Sequence, residues 1–294
     1  MINDQWAMIN EQGSDLYVGS VVKIPFMKMS GSGNDFILID HRKSLVAEDR
    51  MREFVQKVCR RRISVGADGL IFIERSGKAD FKWRFFNADG SEAEMCGNGG
   101  RCAARFAFLK GIAGRNLTFE TLAGILSAEV DGKRVKLEMT RPHGLKLDEP
   151  LTVEKKEEVI SSINTGVPHA VLFREDLESL DIVRMGRAVR HHSHFAPAGT
   201  NANFVRVEDR SHLTVRTYER GVEDETLACG TGTVASALIA AFKGMVKSPV
   251  AAKTSGGEIL TVHFEIEGKE VKRVFFEGEV HIIYEAGMWE EAYE

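Results

Sequence analysis

Two runs of the chain are apolar around nearly their whole circumference. Arg101–Lys110 reads RCAARFAFLK and Thr233–Lys243 reads TVASALIAAFK, each closing on a lysine and followed by a glycine, Gly111 and Gly244. A cation and a glycine at the end of such a run are C-terminal helix signals. A helix with so few polar positions has no face to offer water, so each is predicted to lie at the centre of a domain, wrapped by strands. Alternating or short continuous apolar runs predict those strands at Asp35–Asp40, Leu70–Glu74, Lys82–Phe86, Arg134–Met139, Ala170–Phe173, Asn203–Val207, Leu213–Tyr218, Ile259–Ile266 and Val271–Ile283. Strands around one helix, twice over, predict an α+β protein of two similar domains. Leu145–Ile160 is charged, carries Pro150 and shows little periodicity, which predicts the linker between them.

The halves also match position by position. Displaced by the interval from Cys96 to Cys229, Gly33 falls on Gly166, Gly66 on Gly199, Gly97 on Gly230, Gly99 on Gly232, Gly111 on Gly244 and Gly124 on Gly257. With 28 glycines in 294 residues, chance supplies only roughly 1.5 such coincidences, so the halves share a backbone plan. A glycine kept in both copies implies a common demand, either φ above zero or the close approach of another group.

Composition narrows the function. Hydrophobic residues at 43% and charged residues at 28% are those of an ordinary globular protein. A net charge of −4 opposes nucleic-acid binding, which needs a concentrated cationic face; Arg60-Arg61-Arg62 reads as a solvated helix end with no assigned partner. The apolar stretch Val234–Phe242 is far short of the ~20 residues that span a bilayer. Residues 1–22 contain no Lys or Arg and no long apolar core, so they are expected to be a disordered extension rather than a secretory leader. Four cysteines without a C-x-x-C pair are expected to stay reduced, which fits a cytoplasmic enzyme.

The chemistry concentrates where the cysteines stand. Cys96-Gly97-Asn98-Gly99 and Cys229-Gly230-Thr231-Gly232 place each sulfur immediately before a predicted helix. Unpaired N–H groups and the helix dipole there favour negative charge, which is expected to lower a thiol pKa. Glycines let backbone N–H groups approach an anion, so a carboxylate could sit between the two helices with its α-carbon between the sulfurs. A thiolate on one face and a thiol on the other would then invert that carbon. Spacing alone fits two buried structural cysteines equally well. No cofactor motif is present, Gly31-Ser32-Gly33 being too short to count, and no cofactor is expected. His191, His192 and His194 lack a regular ligand partner and are read as solvated or capping residues, so no metal is expected; Cys59 and Cys102 are assigned to the core.

At these residues the sequence resembles the diaminopimelate epimerase family, from Phe26 to Tyr284. FMKMSGSGNDFILID, NADGSEAEMCGNGGRCAARF, NTGVPHAV, GTNANFV and YERGVEDETLACGTG occur in the family's order. The resemblance implies cofactor-independent inversion of LL-diaminopimelate to the meso form, on the way to lysine and peptidoglycan precursors. It makes Cys96 and Cys229 the catalytic pair and places His169 and Glu219 beside the reacting centre. Asn34, Asn87, Asn201 and Arg220, with Glu219, would hold the substrate, and Gly97, Asn98, Gly230 and Thr231 would offer backbone donors. It further implies a barrel-like sheet around each central helix and an active site in the cleft between domains. Residues 23–140, joined by 276–294 returning to them, would form one domain and 141–275 the other, in a homodimer. The sequence departs from the pattern at Val167, where many members have Asn, at Gly69, where some have Gln, and by one extra residue between Gly221 and Thr226. Rival readings are a proline or hydroxyproline racemase-type enzyme, whose motif carries His where Asn98 stands, and a thiol-redox or ligand-binding protein.

Overall fold

The computed structural model describes residues 23–294, which form eighteen strands and four α-helices, α1 (Met51–Val58), α2 (Gly97–Leu109), α3 (Ile182–Arg190) and α4 (Gly230–Phe242). The expectation for residues 1–22 lies outside the described residues. The architecture is the predicted α+β pair. Each half wraps a strongly curved sheet around one apolar helix, α2 in the first and α4 in the second. Cys102, Ala103, Ala104 and Ala107 on α2, and Val234, Ala235, Ala237, Leu238, Ile239 and Ala240 on α4, have no exposed surface, and both helices belong to one continuous apolar cluster. No helix among the described residues is long and apolar enough to cross a membrane.

The internal repeat is structural. Helices α2 and α4 coincide residue for residue under the displacement from Cys96 to Cys229. Gly33 and Gly166, Gly66 and Gly199, Gly111 and Gly244, and Gly124 and Gly257 all have positive φ, so the shared glycines do mark shared backbone turns. The other two pairs form the first turn of each central helix. The helices begin directly after each cysteine, as expected, although the apolar runs start only at Arg101 and Thr233, because the glycine-rich first turn carries no apolar pattern. Glycine is needed there for space: a Cβ on Gly230 would lie 2.9 Å from the Phe276 ring.

Two amphipathic helices escaped the pattern search. In α1, Met51, Phe54, Val55 and Val58 are buried; in α3, Ile182, Met185, Gly186 and Val189 are. These cover the outer faces of their sheets, and each has its own apolar cluster. The predicted linker is also corrected. His143–Val153 and Lys156–Asn164 form an antiparallel hairpin, closed by Glu154 and Lys155 at positive φ. Pro150 is tolerated because His143–Val153 pairs on one side only, leaving an edge that requires no ladder N–H.

The predicted strand Val271–Ile283 is two strands, Glu270–Glu279 and His281–Met288, separated at Val280. Glu270–Glu279 pairs with Ile259–Glu267 on one side and Arg134–Glu138 on the other, so one strand stitches the halves together. His281–Met288 runs antiparallel to Ile24–Gly31, at the opposite end of the sequence.

Candidate active site

Each cysteine is the N-cap of a central helix. Cys96 has φ −147° and ψ 118°, Cys229 φ −120° and ψ 108°, both extended, and the chain turns helical at the next residue. The Cys96 Sγ accepts from Gly99 N–H at 3.4 Å; the Cys229 Sγ lies 3.6 Å from Thr231 Oγ1. First-turn N–H groups such as those of Gly97, Asn98, Gly230 and Thr231 have no partner within their helix. Both helix starts lean on the same ring, because a Cβ at Gly97 would lie 3.6 Å from Phe276 Cδ1. Thr165 Oγ1 donates to the Thr231 carbonyl at 3.0 Å, fixing the Thr165–Val167 loop against α4.

The electrostatics correct one sequence expectation. Helix starts were expected to lower the thiol pKa values, and the N–H groups do pull in that direction, but burial outweighs them. Desolvation pushes Cys96 up and pushes Cys229 up to about 12, with the Glu219 carboxylate adding to both. Both sulfurs are therefore held as thiols at neutral pH. Glu219 is itself raised by burial, offset in part by Thr226.

His169 is buried, and burial together with the Arg220 charge lowers it to about 3, so its imidazole is neutral. The Asn203 amide donates to Nδ1 at 3.1 Å and to the Ala170 carbonyl at 2.9 Å, while its Oδ1 accepts from Thr217 Oγ1. Nδ1 is thus the acceptor, which leaves the proton on Nε2, and Nε2 has no partner. A neutral ring with its proton on Nε2 is suited to donating a hydrogen bond rather than to shuttling a proton. His169→Leu should lower kcat by about 10²-fold, the usual cost of a lost active-site donor, while His169→Gln, which keeps an N–H near that place, should recover about a tenth of the wild-type rate. Its depressed pKa favours folding above the unfolded value of about 6.5, and that contribution is lost as pH falls toward 3. Glu219, raised, acts in the opposite sense, losing its contribution as pH rises through its folded value. Calorimetry of wild type and His169→Gln between pH 7 and 5 isolates the histidine: the wild-type melting temperature should fall more.

The other predicted site residues are brought together unevenly. Asn34 and Asn98 are joined directly, Asn98 Nδ2 donating to Asn34 Oδ1 at 2.8 Å, and Asn34 Nδ2 donating in turn to Asp68 at 3.1 Å. Asp68 also takes Arg61, which forks across to Asp35, so Arg61, although exposed just past the end of α1 as expected, also braces the Asn34 turn. Asn201 accepts from Arg220 N–H at 2.8 Å and donates to the Pro168 carbonyl at 3.1 Å, which sets the Glu219-Arg220 corner. Among the described residues the Arg220 guanidinium hydrogen-bonds only to the Ala198 carbonyl, at 3.2 Å, which leaves most of its donors open to an anion. Asn87 is exposed at a strand end, and its amide is engaged by Ser91. His192 caps His194 N–H, and His194 and His191 face Glu149 and Glu223.

Known proteins bear on this arrangement. The diaminopimelate epimerase family model matches residues 26–144 and 161–283. A diaminopimelate epimerase of Aquifex aeolicus is 48% identical over 280 residues, covering 92% of this chain and 99% of that one. The chain belongs to the diaminopimelate epimerase family. A family member from Archaeoglobus fulgidus is 46% identical, over 80% of this chain and 88% of its own. The same fold occurs in a Bacillus anthracis phenazine biosynthesis protein of the PhzF family (TM-score 0.69, 17% identity, 90% and 99% covered). It recurs in a hydroxyproline epimerase from Agrobacterium vitis (TM-score 0.64, 14% identity, 92% and 93% covered).

Two of the three departures from the family pattern have local explanations, and that at Val167 has none in the structure. A Cβ at Gly69 would lie 2.6 Å from both the Phe85 ring and the Phe86 carbonyl, so the sheet itself fills the space a longer residue would need. The extra residue between Gly221 and Thr226 is absorbed in a turn with Gly221 and Glu223 at positive φ, and Glu219 stays paired with Asp224. Sequence reasoning missed Asp68, Asn203 and Phe276. Asn203 lies inside the GTNANFV motif, where a polar residue on an otherwise buried strand was the available signal.

Proposed function

We propose that the chain inverts the α-carbon of LL-diaminopimelate to give the meso isomer, with Cys96 and Cys229 as the two working sulfurs. The observation that carries this reading is the placement of two thiols at the N-caps of two repeat-related helices leaning on one ring, in a member of this family. One sulfur, once ionised, takes the α-proton; the electron pair passes toward the carboxylate, and the opposite S–H delivers a proton to the other face. First-turn N–H groups at both helix starts suit the charge that builds on that carboxylate. Neutral His169 adds a further donor, and Glu219 can accept from an ammonium group. Arg220 offers a planar fork to the distal carboxylate, which a proline-sized substrate lacks.

In D₂O the purified protein should convert LL-diaminopimelate and place solvent deuterium at the inverted carbon. Turnover of hydroxyproline but not of diaminopimelate would reassign the substrate. Two working thiols suit a reducing compartment, and the proposed location is the cytoplasm. The homodimer belongs to the same proposal. The edge strand His281–Met288 exposes Ile282, Ile283 and Tyr284, the kind of surface a second copy covers. A monomer in sedimentation at micromolar concentration would contradict it.

A further inference from the structure

Among the described residues, Arg101 is a cation buried with no carboxylate against it. Arg101 lies on α2 just past Cys96 and has no exposed surface. Its Nη2 donates to Ser32 Oγ at 2.6 Å and to Asn98 Oδ1 at 2.7 Å, and its guanidinium lies 4.4 Å over the Phe276 ring. Its Nε and Nη1 have no partner among the described residues. No carboxylate among the described residues touches it; Glu258 is reached only through Ser32 Oγ, at 3.1 Å. A Cβ on Gly278 would overlap Nη1, so the pocket is shaped around the guanidinium. Burying a cation without an anion is costly, and a fold that keeps one commonly gains something from its field.

We propose that Arg101 is a positioning residue that supplies the fixed counter-charge for a Cys96 thiolate while locking the Asn98 side chain, making two chemically identical sulfurs electrostatically unlike. This rests on the two-thiol reading above. Under the displacement that superposes the halves, Arg101 falls on Val234, so the second helix has no equivalent charge. The groups facing Cys96 are Arg101 on its own helix, Glu219 from the second half and Cys229 across the site; those facing Arg101 are Cys96, Cys102 and Glu258. Against its burial Cys96 is drawn downward by the Gly99 and Asn98 N–H groups and by the Arg101 charge; Cys229 is drawn downward by Thr231 and the Gly232 N–H, but the charged or ionisable groups it meets, Glu219 and Cys96, both oppose its ionisation. Only the helix that begins at Cys96 thus carries a cation beside its sulfur. The lock extends outward through Asn98 to Asn34 and Asp68, so one buried side chain sets both the charge and the amide row beside it.

The test is the rate of iodoacetamide alkylation at Cys96 and at Cys229, read separately by peptide mass spectrometry from pH 7 to 10. The variants are Arg101→Gln and Arg101→Lys, with kcat and KM measured alongside. Alkylation follows the thiolate fraction, so a shift of one pH unit appears as about a tenfold rate change. Arg101→Gln should slow Cys96 about tenfold and leave Cys229 unchanged, with kcat falling far more than KM rises. Arg101→Lys, which keeps the charge, should hold the Cys96-to-Cys229 rate ratio within about threefold of wild type. Equal slowing of both cysteines in Arg101→Gln, or an unchanged Cys96 rate, overturns the proposal. Should the Gln variant fail to fold, the Lys variant decides, since collapse of its ratio to parity is equally fatal. Alkylation needs no substrate, so a chain inactive on diaminopimelate would sink the functional reading and leave this one still measurable.

Discussion

Cys96→Ser and Cys229→Ser should each lower turnover of LL-diaminopimelate by about 10³-fold or more, with melting temperatures close to wild type. Serine conserves the shape of each N-cap, so the helix starts persist. What it removes is a group able to give or take a proton at accessible cost; general acid–base groups are worth about 10²–10⁴-fold each. Loss of either sulfur must be nearly as damaging as loss of the other, because inversion needs a donor and an acceptor on opposite faces. A single-base enzyme behaves differently, with one substitution fatal and the other mild. Survival of more than about a tenth of turnover in either variant would rule out the two-sulfur mechanism. The raised thiol pKa values sharpen the expectation, since a site that holds both sulfurs protonated must ionise one of them before the α-proton can leave.

Phe276→Ala should cost more than an ordinary core truncation. The side chain is fully buried opposite Leu137 on one neighbouring strand and Val262 on the other. Removing it leaves a cavity worth about 3–5 kcal/mol, a fall in melting temperature on the order of 10 °C. The activity loss should exceed what unfolding explains. The ring is the surface on which Gly97 and Gly230 rest and over which Arg101 lies, so its removal frees both helix starts to shift. A displacement of an ångström at a reacting centre can cost about 10²-fold. The comparison is made by kcat at a temperature where the variant is folded by circular dichroism; a value within about threefold of wild type would show that the ring does not hold the site.

How far the sequence could be read depended on whether a feature was local. The central helices announced themselves by composition, and their glycines by being written twice. Helices α1 and α3 also carried a legible i, i+3, i+4, i+7 pattern, but each is only about two turns long and was hidden among charged residues. The hairpin His143–Val153 with Lys156–Asn164 was mistaken for a linker because its first strand and the start of its second are largely exposed, and without a buried face a strand loses its alternation. At the site, the motifs located the sulfurs and the amides. They could not show which force governs the thiols, because desolvation depends on what covers Cys229 from every side, whereas the helix dipole is visible from four residues. Arg101 looked like one more charged position on a helix; only the packed structure shows that it has no anion.

The pairing of His281–Met288 with Ile24–Gly31 bears on how the molecule comes into being. Nearly the whole chain separates the two partners, so this contact carries about the largest loop-closure entropy the sequence can generate. A ribosome releases the first half long before its last strand exists, and until then Ile24–Gly31 has only Asn34–Asp40 beside it and offers an open edge. The first barrel is thus completed by a strand that is synthesised only after the whole second half.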